Sequence, residues 1–228
     1  MKPRHATALA LVGWYLIAPV SSGATSAKSN LAYTNKAYGV SFKYPSDWSL
    51  KEGGGAQLNW GYLGDVETRL PHGVTVVAVV MPEDSYPGSD LQLAFVSVSV
   101  DSNLSATQCN QSPRESPDQY HEGETLRRVG PLHFTEFDDG EAGMGRSWYV
   151  KYYHVYRNHA CYEFQQGEGN GGYGAVTGIT HRANDHEVFR RLNAILASVV
   201  IHPTTIASPQ PGQKLEQPMS AVPAHSAN

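Results

Sequence analysis

Residues 38–48 read YGVSFKYPSDW, and this segment carries the strand signal that decides the fold. Its apolar residues, Phe42 and Tyr44 among them, alternate with polar ones, which is the pattern of a strand with one buried face. Pro45 has no N–H to donate, so the strand is predicted to stop there and lead into a turn. Trp48, just after this turn, is predicted to cover one end of the core.

Further strand signals fill the middle of the chain. Five segments have the length and the composition of strands: 73–81, 91–100, 132–137, 146–156 and 160–166. The sequence Asp138-Asp139-Gly140 predicts a turn after the third of these segments. Asn158 lies between the last two, which predicts a hairpin made of two long strands.

Two segments have helix signals. Ser105 is a suitable N-cap for a short helix over 106–110. Asn184 is a suitable N-cap for a second helix, with Glu187 at the capping-box position and apolar residues repeating at three- and four-residue steps through Val200. An antiparallel sheet with this amphipathic helix packed on it gives an α+β fold.

Both ends of the domain resemble one known family. The segment 38–48 is similar to the opening motif of PsbP-like proteins, which reads YGFSFKYPxxW, and 188–199 resembles the closing helix of that family. The resemblance spans residues 31–202 and implies the PsbP/Mog superfamily, in the form of the PsbP C-terminal domain. It implies an αβα sandwich with a central antiparallel sheet and a role as an extrinsic assembly or scaffold protein. The plant member belongs to photosystem II, and none of its photosystem-contacting or metal-binding residues matches a position in this chain.

The first residues have the layout of a secretory signal peptide. Lys2 and Arg4 precede an apolar run over 6–20, and small residues follow it. Cleavage is predicted after Ala24, with Ala27 as the alternative, so the signal peptide is 1–24. The apolar run is too short for a membrane span. We therefore expect an exported protein, either periplasmic or extracellular.

Charge and composition narrow the range of partners. The formal net charge is −4, and removing the leader would make it more negative because two basic residues are lost. No basic cluster longer than an arginine pair is present, which argues against a nucleic-acid partner. Residues 203–228 are rich in proline and poor in apolar residues, so we predict a disordered tail there.

Cys109 and Cys161 are the two cysteines of the chain. In an exported protein they are predicted to form one disulfide. It would close a loop of about 50 residues and contribute roughly 3–4 kcal/mol in the chain-entropy model. The alternative is a reactive thiol at Cys161 served by His159, which lies two residues away.

Known catalytic and metal-binding patterns are missing from the sequence. It contains no Gly-x-Ser-x-Gly elbow, no His-Glu-x-x-His and no Ser-x-x-Lys, so we predict no catalytic residues, no enzyme activity and no cofactor. The pairs His154 with His159 and His181 with His186 lack helical metal-ligand spacing, and no metal site is predicted.

Two further segments leave an alternative open. The acidic residues between Glu136 and Glu141 offer oxygen ligands for Ca²⁺ without the pattern of an EF-hand. The glycine-rich segment 167–174 matches no phosphate-binding fingerprint and is interpreted as a mobile loop, which would flank a ligand cleft in the alternative interpretation.

An aromatic run gives the candidate binding residues. Alternation places Trp148 on one strand face and Tyr149 and Tyr153 on the other, and aromatic side chains are common in binding hot spots. We therefore predict a non-catalytic exported binding, assembly or scaffold protein that holds an extracytoplasmic protein partner through these residues. The alternatives are a small-ligand or metal-ion binding protein, with its site in a cleft between sheet and helix, and an unrecognised hydrolase.

Overall fold

The computed structural model describes residues 29–59, 65–111, 125–204 and 206. The predicted signal peptide and most of the predicted tail lie outside the described residues. The described residues form ten strands, namely β1 (Asn30–Asn35), β2 (Val40–Pro45), β3 (Ser49–Glu52), β4 (Val74–Val80), β5 (Leu91–Asp101), β6 (Thr125–Val129), β7 (Leu132–Gly143), β8 (Arg146–Arg157), β9 (Ala160–Gly171) and β10 (Val200–Ile201). Two α-helices, α1 (Ala106–Cys109) and α2 (Asp185–Leu196), accompany two short 3-10 turns, Gly53–Ala56 and Glu83–Ser85.

The strands form two antiparallel sheets, so the fold is mixed but rich in sheet. The larger sheet has seven strands in the order β3-β4-β5-β9-β8-β7-β6. The smaller has three, in the order β1-β2-β10. None of the described helices is long and apolar enough to cross a membrane.

The hairpin between β8 and β9 is confirmed at its predicted turn. Asn158 and His159 have φ values of 51° and 58°, which is the left-handed backbone that a two-residue hairpin turn requires. Twelve residue pairs join the two strands, from Arg146 with Gly171 to Arg157 with Ala160. Both strands have 12 residues, and they carry the candidate site described below.

Two predicted breaks in the sheet are wrong. Asp138-Asp139-Gly140 is no turn, because β7 continues to Gly143 and turns at Met144 and Gly145, whose φ values are 52° and 74°. The first part of the glycine-rich segment is no loop, because residues 167–171 belong to β9. β9 lies between β5 and β8, and hydrogen bonds from both neighbours hold its glycines extended.

Helix α2 packs on one face of the large sheet. Its Val188, Leu192 and Ile195 are buried with Tyr162 and Phe164 of β9. Asn184 caps the helix as predicted, since its side chain accepts a hydrogen bond of 3.2 Å from the backbone N–H of Glu187. The helix ends at Leu196 and not at Val200, because Val200 pairs with Ser41 of β2 as part of β10.

The opposite face of the sheet is covered by residues 65–73 and by α1. The disulfide between Cys109 and Cys161 is present and ties α1 to β9. The carboxylate of Glu163 on β9 accepts hydrogen bonds from the Thr68 hydroxyl at 2.7 Å and from the backbone N–H of Arg69. These links fasten the covering segment to the sheet, so both faces of β9 are buried.

Candidate functional site

A cleft of about 450 Å³ lies between the ends of β8 and β9 and the first turns of α2. Its volume is in the range of small-molecule sites. Four lining residues belong to β8, two to β9 and three to α2: Ser147, Trp148, Tyr149, Lys151, Glu168, Asn170, Asp185, His186 and Phe189. The cleft therefore depends on the packing of α2 against this end of the hairpin.

Glu168 is the buried acid of this cleft. It follows Tyr162, Phe164 and Gln166 on the α2 side of β9, because side chains alternate between the faces of a strand. Only 2% of it is exposed, and its Oε2 atom accepts no hydrogen bond. Burial, together with the charge and the hydrogen bond of Asp185, raises the pKa of Glu168 from 4.5 to about 8. Glu168 is thus protonated at neutral pH.

Asp185 faces Glu168 from the first turn of α2. It is exposed, whereas Glu168 is buried. The N-terminus of a helix carries a partial positive charge, which favours a carboxylate at this position. Two carboxyl groups in hydrogen-bonding contact need a proton between them, and burial places that proton on Glu168. Asp90, buried at the start of β5, adds further negative charge near Glu168.

Aromatic side chains form the walls of the cleft. The rings of Tyr149 and Phe189 meet edge to face with their centroids 5.5 Å apart. The ammonium group of Lys151 lies 5.5 Å from the centroid of the Tyr149 ring and 3.2 Å from Oε1 of Glu136. The Tyr149 hydroxyl donates a hydrogen bond to Asp138. The position of the Tyr149 ring is therefore fixed by three neighbours.

The three predicted binding residues do not share one surface. Trp148 and Tyr149 line the cleft and are partly exposed. Tyr153 is fully buried, with its ring edge to face against Phe134 and its hydroxyl donating to Glu136. Its environment is apolar enough to raise its pKa well above the ordinary value, mainly by burial. Tyr153 thus supports the core rather than a partner surface.

Three acidic residues of β7, Glu136, Asp138 and Asp139, are spread along the strand and engaged with basic or hydroxyl groups. Glu136 pairs with Arg127 at 2.9 Å and with Lys151. Asp139 pairs with Arg69, and Asp138 accepts from Tyr149. Their oxygens are therefore directed to protein partners rather than to a shared Ca²⁺ position.

Among the described residues, one group of three metal-ligating side chains lies close together, namely Cys109, His154 and Cys161. The two sulfur atoms are joined in the disulfide. The two ring nitrogens of His154 lie 2.9 Å from the Cys109 carbonyl oxygen and 2.8 Å from Glu163. This group therefore has no free ligand atoms, and His159 is exposed at the turn, away from His154.

Glu168, Asn170 and Asp185 of the cleft, and Asp90 near Glu168, are not among the site residues predicted from the sequence. One local signal was available for Glu168. Counting in steps of two from Phe164 places a carboxyl group on the core face of β9, where an acid is rarely found without a partner. That signal depends on β9 continuing through its glycines, where the sequence predicts a loop.

Comparisons with known proteins give weak likenesses. No protein-family model and no curated protein matches the chain. A protein from Bacteroides thetaiotaomicron has 10% identity and a TM-score of 0.41, over 75% of this chain and 48% of that one, so this chain spans about half its length. LpqN, involved in cell envelope biogenesis of Mycobacterium tuberculosis, has 12% identity and a TM-score of 0.36, over 79% and 88%. Cyanobacterial PsbP (CyanoP) from Synechocystis sp. PCC 6803 has 13% identity and a TM-score of 0.35, over 81% and 100%.

Proposed function

We propose that this chain is a non-catalytic, exported binding protein of PsbP-like fold that holds a small organic ligand in the cleft between β8, β9 and α2. The carrying observation is the unpartnered Oε2 atom of Glu168 in a cleft walled by Tyr149 and Phe189. A buried polar atom without a partner is costly in a folded protein, so a site that contains one favours a ligand that would satisfy it. The export assignment rests on the N-terminal sequence and agrees with the disulfide.

The PsbP-like part of this proposal rests on the residues that carry the resemblance. β2 covers most of the opening motif, and its Phe42 and Tyr44 are buried in the core as the motif implies. The closing segment forms α2 and packs on the same core. The burial of both segments in one core supports the proposed PsbP-like fold.

Several contacts support a binding role over catalysis. The cysteines are joined, and both nitrogens of His154 are engaged, so neither supplies a nucleophile or a free base. The Glu168 and Asp185 carboxyl groups are in hydrogen-bonding contact, whereas the two carboxylates of a retaining glycosidase stand about 5 Å apart. One carboxyl of the pair is buried and the other is exposed, so the two differ in environment.

A ligand-observed NMR screen tests the proposal. The library contains cationic, neutral and anionic small molecules, and each spectrum is inspected for both binding and chemical conversion. The variant Ser147→Trp fills the cleft, and Thr34→Trp places the same side chain on the exposed face of β1 as a control. Binding that Ser147→Trp abolishes and Thr34→Trp preserves is the expected result. Absence of any cleft-dependent binder, or conversion that Ser147→Trp abolishes, would contradict it.

A protein partner is the second candidate function, and exposed apolar residues favour it. Met144 at the tip of the β7–β8 hairpin is fully exposed, and Leu126 on the edge strand β6 is 84% exposed. A photo-crosslinking residue at position 144, compared with one at the exposed Lys36, tests this candidate in the cell envelope. A specific crosslink from 144 alone would support it, and equal labelling at both positions would count against it.

A further inference from the structure

We propose that the ligand of this cleft is an organic cation with a protonated amine, whose ammonium group binds at the Glu168–Asn170 end of the cleft between aromatic walls. This inference rests on the proposed binding function and names the chemical class of the ligand. Glu168, Asn170 and Asp185 would bind the ammonium group of the ligand. Trp148, Tyr149 and Phe189 would contact its organic part.

The unsatisfied atoms of the cleft define what the ligand must offer. Two lining residues have a buried oxygen without a donor, Oε2 of Glu168 and Oδ1 of Asn170. They lie two positions apart on the same face of β9, opposite Tyr149 and Ser147 of β8. Oδ1 of Asn170 is an acceptor, and Oε2 of Glu168 is one once its carboxyl group ionises, so the missing partner is a donor. A protonated amine offers up to three N–H donors from one atom, which suits two acceptors and a nearby carboxylate.

The charges around Glu168 favour a cation. Asp185 faces it from α2 and Asp90 from the start of β5, and both raise its pKa. Lys151 at the cleft is already paired with Glu136, and Asp185 offsets the partial positive charge of the N-terminus of α2. In the ligand-free protein the proton on Glu168 reduces the repulsion among the carboxyl groups. A bound ammonium would take over that role and allow the proton to leave.

The walls and the volume favour an organic cation over a bare metal ion. A cleft of about 450 Å³ has room for a molecule with an apolar part. The Tyr149 ring already has the Lys151 ammonium 5.5 Å from its centroid, within the distance of a cation–π contact. The aromatic walls thus combine with the buried oxygens as they do in other sites that recognise ammonium groups.

If Glu168 releases its proton when the ammonium ligand binds, the affinity must depend on pH. Glu168 holds its proton below a pKa of about 8, while an alkylammonium keeps its own up to about pH 10. Binding that ionises Glu168 therefore becomes tighter as the pH rises from 6 to 8.5. The groups that face Glu168 are Asp185 and His186 on α2, Asp90 before β5, and Lys151 and Tyr149 on β8.

The test uses 2-phenylethylammonium as the probe and 2-phenylethanol as its uncharged analogue, with the purified protein in NMR titrations at pH 6 and pH 8.5. We expect the probe to bind at least about tenfold more tightly at pH 8.5, and more tightly than the alcohol at either pH. Glu168→Gln should remove the pH dependence. Glu83→Gln, the same change on an exposed acid that does not line the cleft, should preserve it. Asp185→Asn, at an exposed position, should weaken binding severalfold without affecting folding.

The outcomes separate this inference from the proposed function. Equal binding of the alcohol, or a pH dependence that persists in Glu168→Gln, would overturn the cation inference. Suppose that neutral or anionic library members bind the cleft and that Ser147→Trp abolishes their binding, while the ammonium probe does not bind. The binding function is then supported and the cation inference is wrong. If Ser147→Trp affects no binder of any class, the proposed function itself fails.

Discussion

Nε2 of His154 lies 2.8 Å from Oε2 of Glu163, and both side chains are buried beneath the segment 65–73 and α1. Nδ1 of the same ring lies 2.9 Å from the carbonyl oxygen of Cys109, which can only accept a hydrogen bond. Glu163 also accepts hydrogen bonds from Thr68, from Arg69 and from Gln165. Glu163 therefore joins β8, β9 and the segment 65–73 in one buried hydrogen-bond network.

Glu163→Ala should therefore destabilise the protein by about 3 kcal/mol, because it leaves the buried hydrogen-bonding groups of His154, Thr68 and Gln165 without their partner. Urea unfolding at neutral pH measures this change. The matched control is Glu187→Ala, which breaks the exposed pair of Glu187 and Arg190 on α2. The control should leave the unfolding midpoint almost unchanged, since exposed ion pairs contribute little. Equal losses in the two variants would mean that the His154–Glu163 pair contributes no more than a surface pair.

Removing the disulfide should destabilise the protein by about 4 kcal/mol in the chain-entropy model, because Cys109 and Cys161 are 52 residues apart. The double variant Cys109→Ala and Cys161→Ala, compared with the oxidised protein in urea, measures this loss. A thiol count on the unfolded, unreduced protein should find no free thiol. Two free thiols in this assay would contradict the disulfide between Cys109 and Cys161.

Leu192→Asp should destabilise the protein by several kcal/mol, because Leu192 is fully buried where α2 meets the sheet. Ala194→Asp introduces the same side chain at an exposed position of the same helix and serves as the control. Thermal unfolding followed by circular dichroism separates the two. Similar melting temperatures for both variants would show that α2 does not bury the face that contains Leu192.

The elements that the sequence predicted correctly depend on short-range signals. The alternation through Phe42 and Tyr44 gave β2, the turn at Asn158 gave the long hairpin, and Asn184 with its apolar repeat gave α2. The disulfide followed from a choice between only two cysteines. Each of these inferences needed only the local pattern or the residue count.

The remaining features depend on pairing between distant segments. Gly167 and Gly169 favour a loop locally, but β5 and β8 on either side keep them in β9. β10 is a strand because Val200 and Ile201 meet β2, about 160 residues earlier in the chain. The candidate site has the same origin, since Glu168 lies in β9, Asp185 in α2 and Asp90 just before β5. No periodicity within one segment could bring them together.

The pH dependence of stability should reveal the buried acid at Glu168. Its pKa is about 8 in the folded protein and near 4.5 in the unfolded chain. Below pH 4.5 the Glu168 carboxyl group is protonated in both states, so it does not make the free energy of unfolding depend on pH. Between pH 4.5 and pH 8 the unfolded chain releases the proton and the folded protein retains it. The free energy of unfolding therefore falls as the pH rises through this window, by up to about 1.4 kcal/mol per pH unit from this group alone.

Glu168→Gln removes this loss, because glutamine keeps the shape of the side chain and does not ionise. The variant should match the wild type near pH 4.5 and exceed its free energy of unfolding by a few kcal/mol at pH 8, as measured by urea unfolding across the range. The other acids titrate equally in both proteins, so the difference between the two curves isolates Glu168. Glu83→Gln, at an exposed position, should give a difference that does not vary with pH. A constant difference for Glu168→Gln as well would mean that Glu168 is ionised in the folded protein, and the cleft would then hold a carboxylate pair instead of a shared proton.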